Sequence, residues 1–182
     1  MTKHISDEQL AKLSFSDKKY FNPIVKRYVK KIRRYLARLI GNWQESEDIT
    51  QEVFIKTYTN IGSFNSKMKF SSWIYRIAHN EGVNFIKKHY KIQKVRYDDQ
   101  INHYFYEQNN ALSKILQNEN KEKIKEGLFK LPKKDSEILE LYYFDDKSYL
   151  EIADILEISI NSVGSKIKRA KDKLKKTIDD KK

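Results

Sequence analysis

Only two prolines and five glycines interrupt 182 residues, and between those breaks apolar side chains recur every three to four positions. Both residues oppose helix propagation, so their scarcity leaves room for long helices and little else. From 19 to 40, Ile24, Tyr28, Ile32, Tyr35 and Leu39 keep the spacing of a single buried helical stripe. Gly41 is expected to end that helix, and Asn42 with Glu45 three residues later has the form of a capping box for the next. The second helix is predicted to reach about Asn60, with Ile49, Val53, Thr57 and Ile61 inward. A short loop, 62–69, follows. Ser71 is then expected to cap a third helix that turns Trp73, Ile77, Val83 and Ile86 toward the core.

The C-terminal third is punctuated as clearly. Leu131-Pro132 opens a helix holding Ile138, Leu141 and Tyr142. Ser148-Tyr149-Leu150-Glu151 is a second capping box, starting a short helix with Ile152, Ala153 and Leu156. Glu157-Ile158-Ser159 reads as a tight turn, and Ser159 as the cap of a last helix running to about Lys176. Between the two zones the composition turns polar: Tyr97-Asp98-Asp99-Gln100, then Asn102, Glu107, Gln108, Asn109 and Asn110. The expected fold is therefore all-α, with two small helical domains, 1–95 and 121–182, joined by a polar linker over 96–120.

Charge narrows the function. Lys and Arg total 37 against 25 Asp and Glu, a formal net charge of +12, which favours a polyanionic partner such as nucleic acid or a membrane surface. The chain has no cysteine, excluding disulfides and thiolate zinc sites and fitting a cytoplasmic protein. The N-terminal 13 residues lack the apolar core of a signal peptide, and no run approaches the ~18 apolar residues of a membrane span. His4, His79, His89 and His103 show no metal spacing, His79-Asn80-Glu81 is not a zinc-protease motif, and there is no glycine-rich phosphate loop. No catalytic residue, metal or cofactor is expected.

Three faces carry the functional reading. A short helix, a tight turn and a longer basic helix form a helix-turn-helix pattern. In its last helix Val163, Ile167, Ala170 and Leu174 make one buried face, leaving Asn161, Ser162, Ser165, Lys166, Lys168 and Arg169 on the other, with Ser159 at the entry. Short polar groups near a helix start suit base edges, and cations suit phosphates. A second face lies on the predicted second helix, where Asp48, Gln51, Glu52 and Ile55 form a stripe apart from the buried one. An exposed apolar residue ringed by acids and an amide suits a basic partner helix, although by default such a stripe is merely solvated. Third, residues 66–96 hold eight Lys and Arg and one Glu, interleaved with Phe70, Trp73, Tyr75, Phe85 and Tyr90. Cations that track phosphates beside aromatics and amides are how single strands are gripped, and Asn80 and Asn84 stand one turn apart. Trp73 and Phe85 are the aromatics expected in the core.

The stretches 46–56 (Ser-Glu-Asp-Ile-Thr-Gln-Glu-Val-Phe-Ile-Lys) and 70–80 (Phe-Ser-Ser-Trp-Ile-Tyr-Arg-Ile-Ala-His-Asn) closely resemble region 2 of bacterial extracytoplasmic-function (ECF) sigma factors. Leu131-Pro132, 148–153 and 159–170 resemble their region 4. The resemblance covers most of the chain in the right order. It implies a region 2 helical bundle and a region 4 helix-turn-helix, and partners in core RNA polymerase and promoter DNA. Asp48, Gln51, Glu52 and Ile55 would dock on the β′ clamp helices. The loop with Ser63, Phe64, Asn65 and Lys69 would receive a base flipped from the −10 element. Trp73, Arg76, Asn80, Asn84, Lys87 and Lys88 would line the melted −10 strand. The helix after Ser159 would enter the −35 major groove, with the β flap nearby, and the linker would thread toward the RNA exit path. Whether an anti-sigma factor is also a partner stays open. Departures from the family pattern fall at Glu157, where many relatives have Gly, at Gly164, where many have Lys or Arg, at Lys166 in place of Arg, and at Asn84 in place of Asp. They bear on promoter choice.

Three other readings compete. A helix-turn-helix regulator acting without polymerase would need a dimer interface and a palindromic operator, and would leave the Asp48 stripe unexplained. An enzyme lacks a recognisable constellation. A membrane-surface protein would not need so regular an aromatic core pattern.

Overall fold

The computed structural model describes residues 5–89 and 121–179, which fall into two compact units. The described residues form helices and turns, with no strand among them. The linker reading, 96–120, lies outside the described residues.

In the first unit, α1 (Asp7–Ser16) leads through a 3-10 turn (Lys18–Tyr20) into α2 (Phe21–Ile40), α3 (Trp43–Thr59), a second 3-10 turn (Ile61–Ser63) and α4 (Phe70–His89). The apolar stripe of α2 is buried as its spacing predicts: Ile24, Ile32 and Tyr35 are fully enclosed, Tyr28 and Leu39 nearly so. Each such aliphatic side chain contributes roughly 1.5–3 kcal/mol on burial. Gly41 ends α2 at φ 76°, in the left-handed region open to glycine, and its N–H donates to the Ala37 carbonyl. Asn42 then caps α3, its side-chain oxygen accepting from the Glu45 N–H at 3.0 Å. Ile49, Val53 and Thr57 line the buried side of α3, and Ile61 is buried in the turn that follows.

Helix α1 was not expected from apolar spacing. Its signature is a capping box at Ser6 and Gln9, each side chain bonded to the other's backbone N–H at 3.2 Å. Leu10 and Ala11 bury its inner face, and α1 packs on α2, α4 and the second 3-10 turn.

Helix α4 differs from the sequence reading in two respects. It begins at Phe70, so Ser71 lies inside it and does not cap it. The first N–H, that of Phe70, donates instead to the Glu8 carboxylate of α1 at 3.1 Å, an acid placed where the helix dipole favours one. Its buried row is Phe70, Ile74, Ala78 and Gly82, with Tyr75 and Ser72 beside it; Trp73, Ile77, Val83 and Ile86 are half-buried. Small residues set this rotation. A Cβ at Gly82 would sit 2.5 Å from Leu39 Cδ2 and 3.2 Å from Leu36 Cδ2, so α2 approaches α4 where the side chains are smallest.

In the second unit, α5 (Lys121–Lys130), α6 (Lys133–Tyr143), α7 (Tyr149–Leu156) and α8 (Ile160–Asp179) surround a core of Ile124, Leu128, Ile138, Leu139, Leu141, Ile152, Ile155 and Val163. Gly127 lets α5 close on α8, since a Cβ there would meet Leu174 at 2.7 Å. Pro132 precedes α6. The capping box of α7 is complete: Ser148 Oγ accepts from the Glu151 N–H, and the Glu151 carboxylate accepts from the Ser148 N–H at 3.1 Å. The inward residues of α7 are Ile152, Ala153 and Ile155, with Leu156 half-buried.

Candidate nucleic-acid interface and docking face

The helix-turn-helix is built by the α7–α8 junction. Glu157 ends α7 at φ 52°, ψ 47°, and the N–H groups of Glu157 and Ile158 both donate to the Ala153 carbonyl. Two residues later α8 begins. Its Val163, Ile167, Ala170 and Leu174 are all buried, as the spacing predicts. Ser159, Asn161, Ser165, Lys166, Lys168 and Arg169 are exposed and Ser162 is half-buried, so the predicted polar face is one continuous outer surface. Ser162 and Ser165 turn their hydroxyls back to backbone carbonyls, and Arg169 Nε donates to the Ser165 carbonyl at 3.3 Å. Lys173 is drawn to Asp135 of α6 at 2.6 Å. Gly164 also finds its reason: the Tyr149 ring lies over it, and a Cβ would approach that ring to 3.3 Å.

On α3, Asp48, Gln51, Glu52 and Ile55 are exposed together along one side, opposite the buried Ile49 and Val53. Ile55 is 63% exposed, and Tyr58 one turn further on is 40% exposed. Among the described residues, no salt bridge engages Asp48 or Glu52. Nearby acids are used differently: Glu47 pairs with Arg33 at 2.7 Å, whose guanidinium also stacks on Trp43. The stripe is thus two uncommitted carboxylates and an amide around an apolar side chain.

The third face runs from the 62–69 loop along α4. Ser63, Asn65 and Lys69 are exposed. The loop is ordered from within: the Ser63 N–H and hydroxyl both donate to the Asn60 carbonyl, and Asn65 Oδ1 accepts from the Lys67 N–H at 3.0 Å. Phe64 is half-buried, its ring 5.4 Å from that of Phe70 and 5.3 Å from that of Trp73. Along α4, Asn80, Asn84, Lys87 and Lys88 are exposed and Arg76 is half-buried. The aromatics divide otherwise than expected: Phe70 and Tyr75 form the core, while Trp73 and Phe85 keep partial access. Glu81, the single acid of this stretch, is held by Lys56 of α3 at 2.6 Å, its side chain 12% exposed. That pairing neutralises the single acid of an otherwise basic stretch, and nothing in linear spacing announces it.

These geometries can now be set beside known proteins. A family model of sigma-70 region 2 matches residues 24–92, and one of sigma-70 region 4 matches residues 121–174. The ECF RNA polymerase sigma factor SigW of Bacillus subtilis (strain 168) is 32% identical over 95% of this chain and 96% of its own length. The ECF RNA polymerase sigma-E factor of Escherichia coli (strain K12) is 30% identical over 94% of each. Among solved structures, CnrH in complex with the cytosolic domain of CnrY matches with a TM-score of 0.69 at 21% identity, covering 97% of this chain and 99% of that one. The sigma factor RpoE from Bartonella quintana, in complex with the anti-sigma factor NepR, matches with a TM-score of 0.66 at 18% identity, covering 87% and 96%. At those identities the structures speak to the fold alone, whereas the sequence relatives extend nearly end to end. With region 2 and region 4 in order on one chain and relatives of this extent, the protein belongs to the ECF group of sigma-70-family RNA polymerase sigma factors, which are initiation factors and not enzymes.

Proposed function

We propose that the two units divide promoter recognition, with residues 1–95 docking on core polymerase and opening the −10 element, 121–182 reading the −35 duplex, and 96–120 tethering them. The observation that carries this reading is the α3 stripe: Asp48, Gln51, Glu52 and a 63% exposed Ile55 form a side built to bind a basic helix, the β′ clamp in this reading. A regulator acting without polymerase has no use for such a face. Region 4 sets its helix α8 in the −35 major groove, where Asn161, Ser162 and Ser165 approach base edges while Lys166, Lys168 and Arg169 hold phosphates; Ser159 sits at the phosphate-facing entry, and the β flap touches the same unit.

Melting then follows from differential binding. Extruding a −10 base costs a few kcal/mol of stacking. The pocket around Ser63, Phe64, Asn65 and Lys69 offsets that, and Trp73, Arg76, Asn80, Asn84, Lys87 and Lys88 hold the unpaired strand. Each unit alone offers a small footprint, so free of polymerase the chain binds promoters weakly and with a steep salt dependence. Among the described residues no helix is long and apolar enough to cross a membrane; the compartment assigned is the cytoplasm, where polymerase works. An anti-sigma protein is a further partner in this reading, in keeping with the NepR complex of its structural neighbour.

The test is run-off transcription with added core polymerase across a promoter library, comparing the natural chain with Asp48→Lys/Glu52→Lys. The charge reversal is expected to abolish core association and run-off product while leaving helical content intact. Unchanged association overturns the docking face.

A further inference from the structure

The 62–69 loop is held at both ends by a helix that neither sigma-70 family model includes. At the loop's start, the Phe15 ring lies over Gly62: a Cβ built on that glycine would stand 2.7 Å from Phe15 Cε2 and 3.0 Å from Cδ2. At the loop's end, the Glu8 carboxylate accepts from the Phe70 N–H at 3.1 Å, the residue at which α4 begins. Glu8 and Phe15 are seven positions apart, two turns of α1, so one rigid helix sets the separation of the two ends.

The helix is itself fixed in place. Asp7 accepts from the Tyr28 hydroxyl and the Arg27 guanidinium of α2, and Leu10 and Ala11 are buried. Phe15 nevertheless remains 71% exposed. Its contact with Gly62 is made by one edge of the ring, Cε2 and Cδ2.

From this bracket we propose that α1 is a positioning element of the −10 site, with Glu8 and Phe15 pre-organising the loop that receives the extruded base. The inference rests on the assignment of loop 62–69 given above. Neither residue need touch DNA. Their contribution is that Ser63, Phe64, Asn65 and Lys69 are already arranged when the base arrives, so that binding does not have to order them. A pre-organised pocket discriminates among bases more sharply than a loose one, because the loose one can rearrange around a wrong base.

The test uses full-length variants assembled with core polymerase and four single-stranded −10 oligonucleotides that differ at the extruded position. Glu8→Ala and Phe15→Ala are expected to lower affinity for the preferred base roughly threefold to tenfold, the ratio expected when binding must order about one more loop side chain, and to narrow the spread among the four bases. Affinity for −35 duplex and for core polymerase should stay unchanged. Glu8→Gln keeps an acceptor for the Phe70 N–H, and Phe15→Tyr keeps a ring over Gly62, so both should restore most of the discrimination. Unchanged base preference in both alanine variants overturns the proposal. So does a loss that is equal for all four bases and is not rescued by the conservative variants, since that is what general destabilisation gives. A variant with the 62–69 loop replaced separates the two levels. If loop replacement also leaves oligonucleotide binding intact, the site assignment itself falls; if loop replacement abolishes binding while the α1 variants are neutral, only the positioning role falls.

Discussion

Asp7→Ala should loosen the first unit by removing the acceptor that ties α1 to α2. The Asp7 carboxylate receives the Tyr28 hydroxyl and the Arg27 guanidinium, each at 2.5 Å, and Arg27 reaches on to the Ile5 carbonyl at 3.0 Å. Tyr28 is 4% exposed, so the substitution leaves a buried phenol O–H without that acceptor, which costs about 1–3 kcal/mol. The Arg27–Asp7 pair is partly solvated, with side chains 32% and 27% exposed, and screening holds its share to about 1 kcal/mol or less. A loss of about 1–4 kcal/mol is therefore expected. Tyr28→Phe removes the donor while the carboxylate keeps Arg27 and some water, and should lose about 1 kcal/mol. The double variant should fall short of the sum by about 1 kcal/mol, because the two groups share one bond. Loss of an acid from the first turn of α1 is common to both Asp7→Ala backgrounds and cancels in the cycle. Urea unfolding followed by tryptophan fluorescence reads this unit selectively, since both tryptophans of the chain, Trp43 and Trp73, lie in it. Effects that add to within about 0.5 kcal/mol would refute the reasoning.

Burial, then the Asp7 hydrogen bond and charge, raise the Tyr28 phenol well above its ordinary value near 10. The neutral phenol is the folded form, so its stabilisation is intact below about pH 10 and is lost as the pH rises beyond it; Tyr28→Phe should flatten the alkaline limb of a stability–pH curve, and an unchanged limb counts against this. Arg169→Ala should weaken −35 duplex binding by the holoenzyme by about 1 kcal/mol and make the salt dependence shallower; equal binding removes α8 from the groove.

Much of this fold is written in local spacing. The stripes of α2 and α8, the break at Gly41, the capping box at Ser148 and the N-cap at Asn42 each follow from a periodicity or a short motif, and the structure realises them, although at Asn42 only the bond from the Glu45 N–H to the Asn42 side chain is present and not the reciprocal one. The α3 stripe is exposed for the same reason: once Ile49 and Val53 turn inward, Asp48, Gln51, Glu52 and Ile55 must turn out. What spacing could not give is the rotation of α4. Large apolar residues suggested Trp73, Ile77, Val83 and Ile86, yet the packing depends on the absence of bulk at Ala78 and Gly82, a property of the facing Leu36 and Leu39 as much as of α4. Long-range pairs such as Glu8 with Phe70 or Lys56 with Glu81 join positions 62 and 25 apart, beyond any local pattern. Helix α1, ten residues with few large apolar side chains, offers no stripe from which spacing alone could place it.

The small-residue seam between α2 and α4 has a consequence for engineering. Because Gly82 lets α2 close on one side of α4, Asn80, Asn84, Lys87 and Lys88 are left exposed on the other. On the proposed reading that these four positions hold the −10 strand, a designer can vary them to shift strand preference while the scaffold beneath them is untouched.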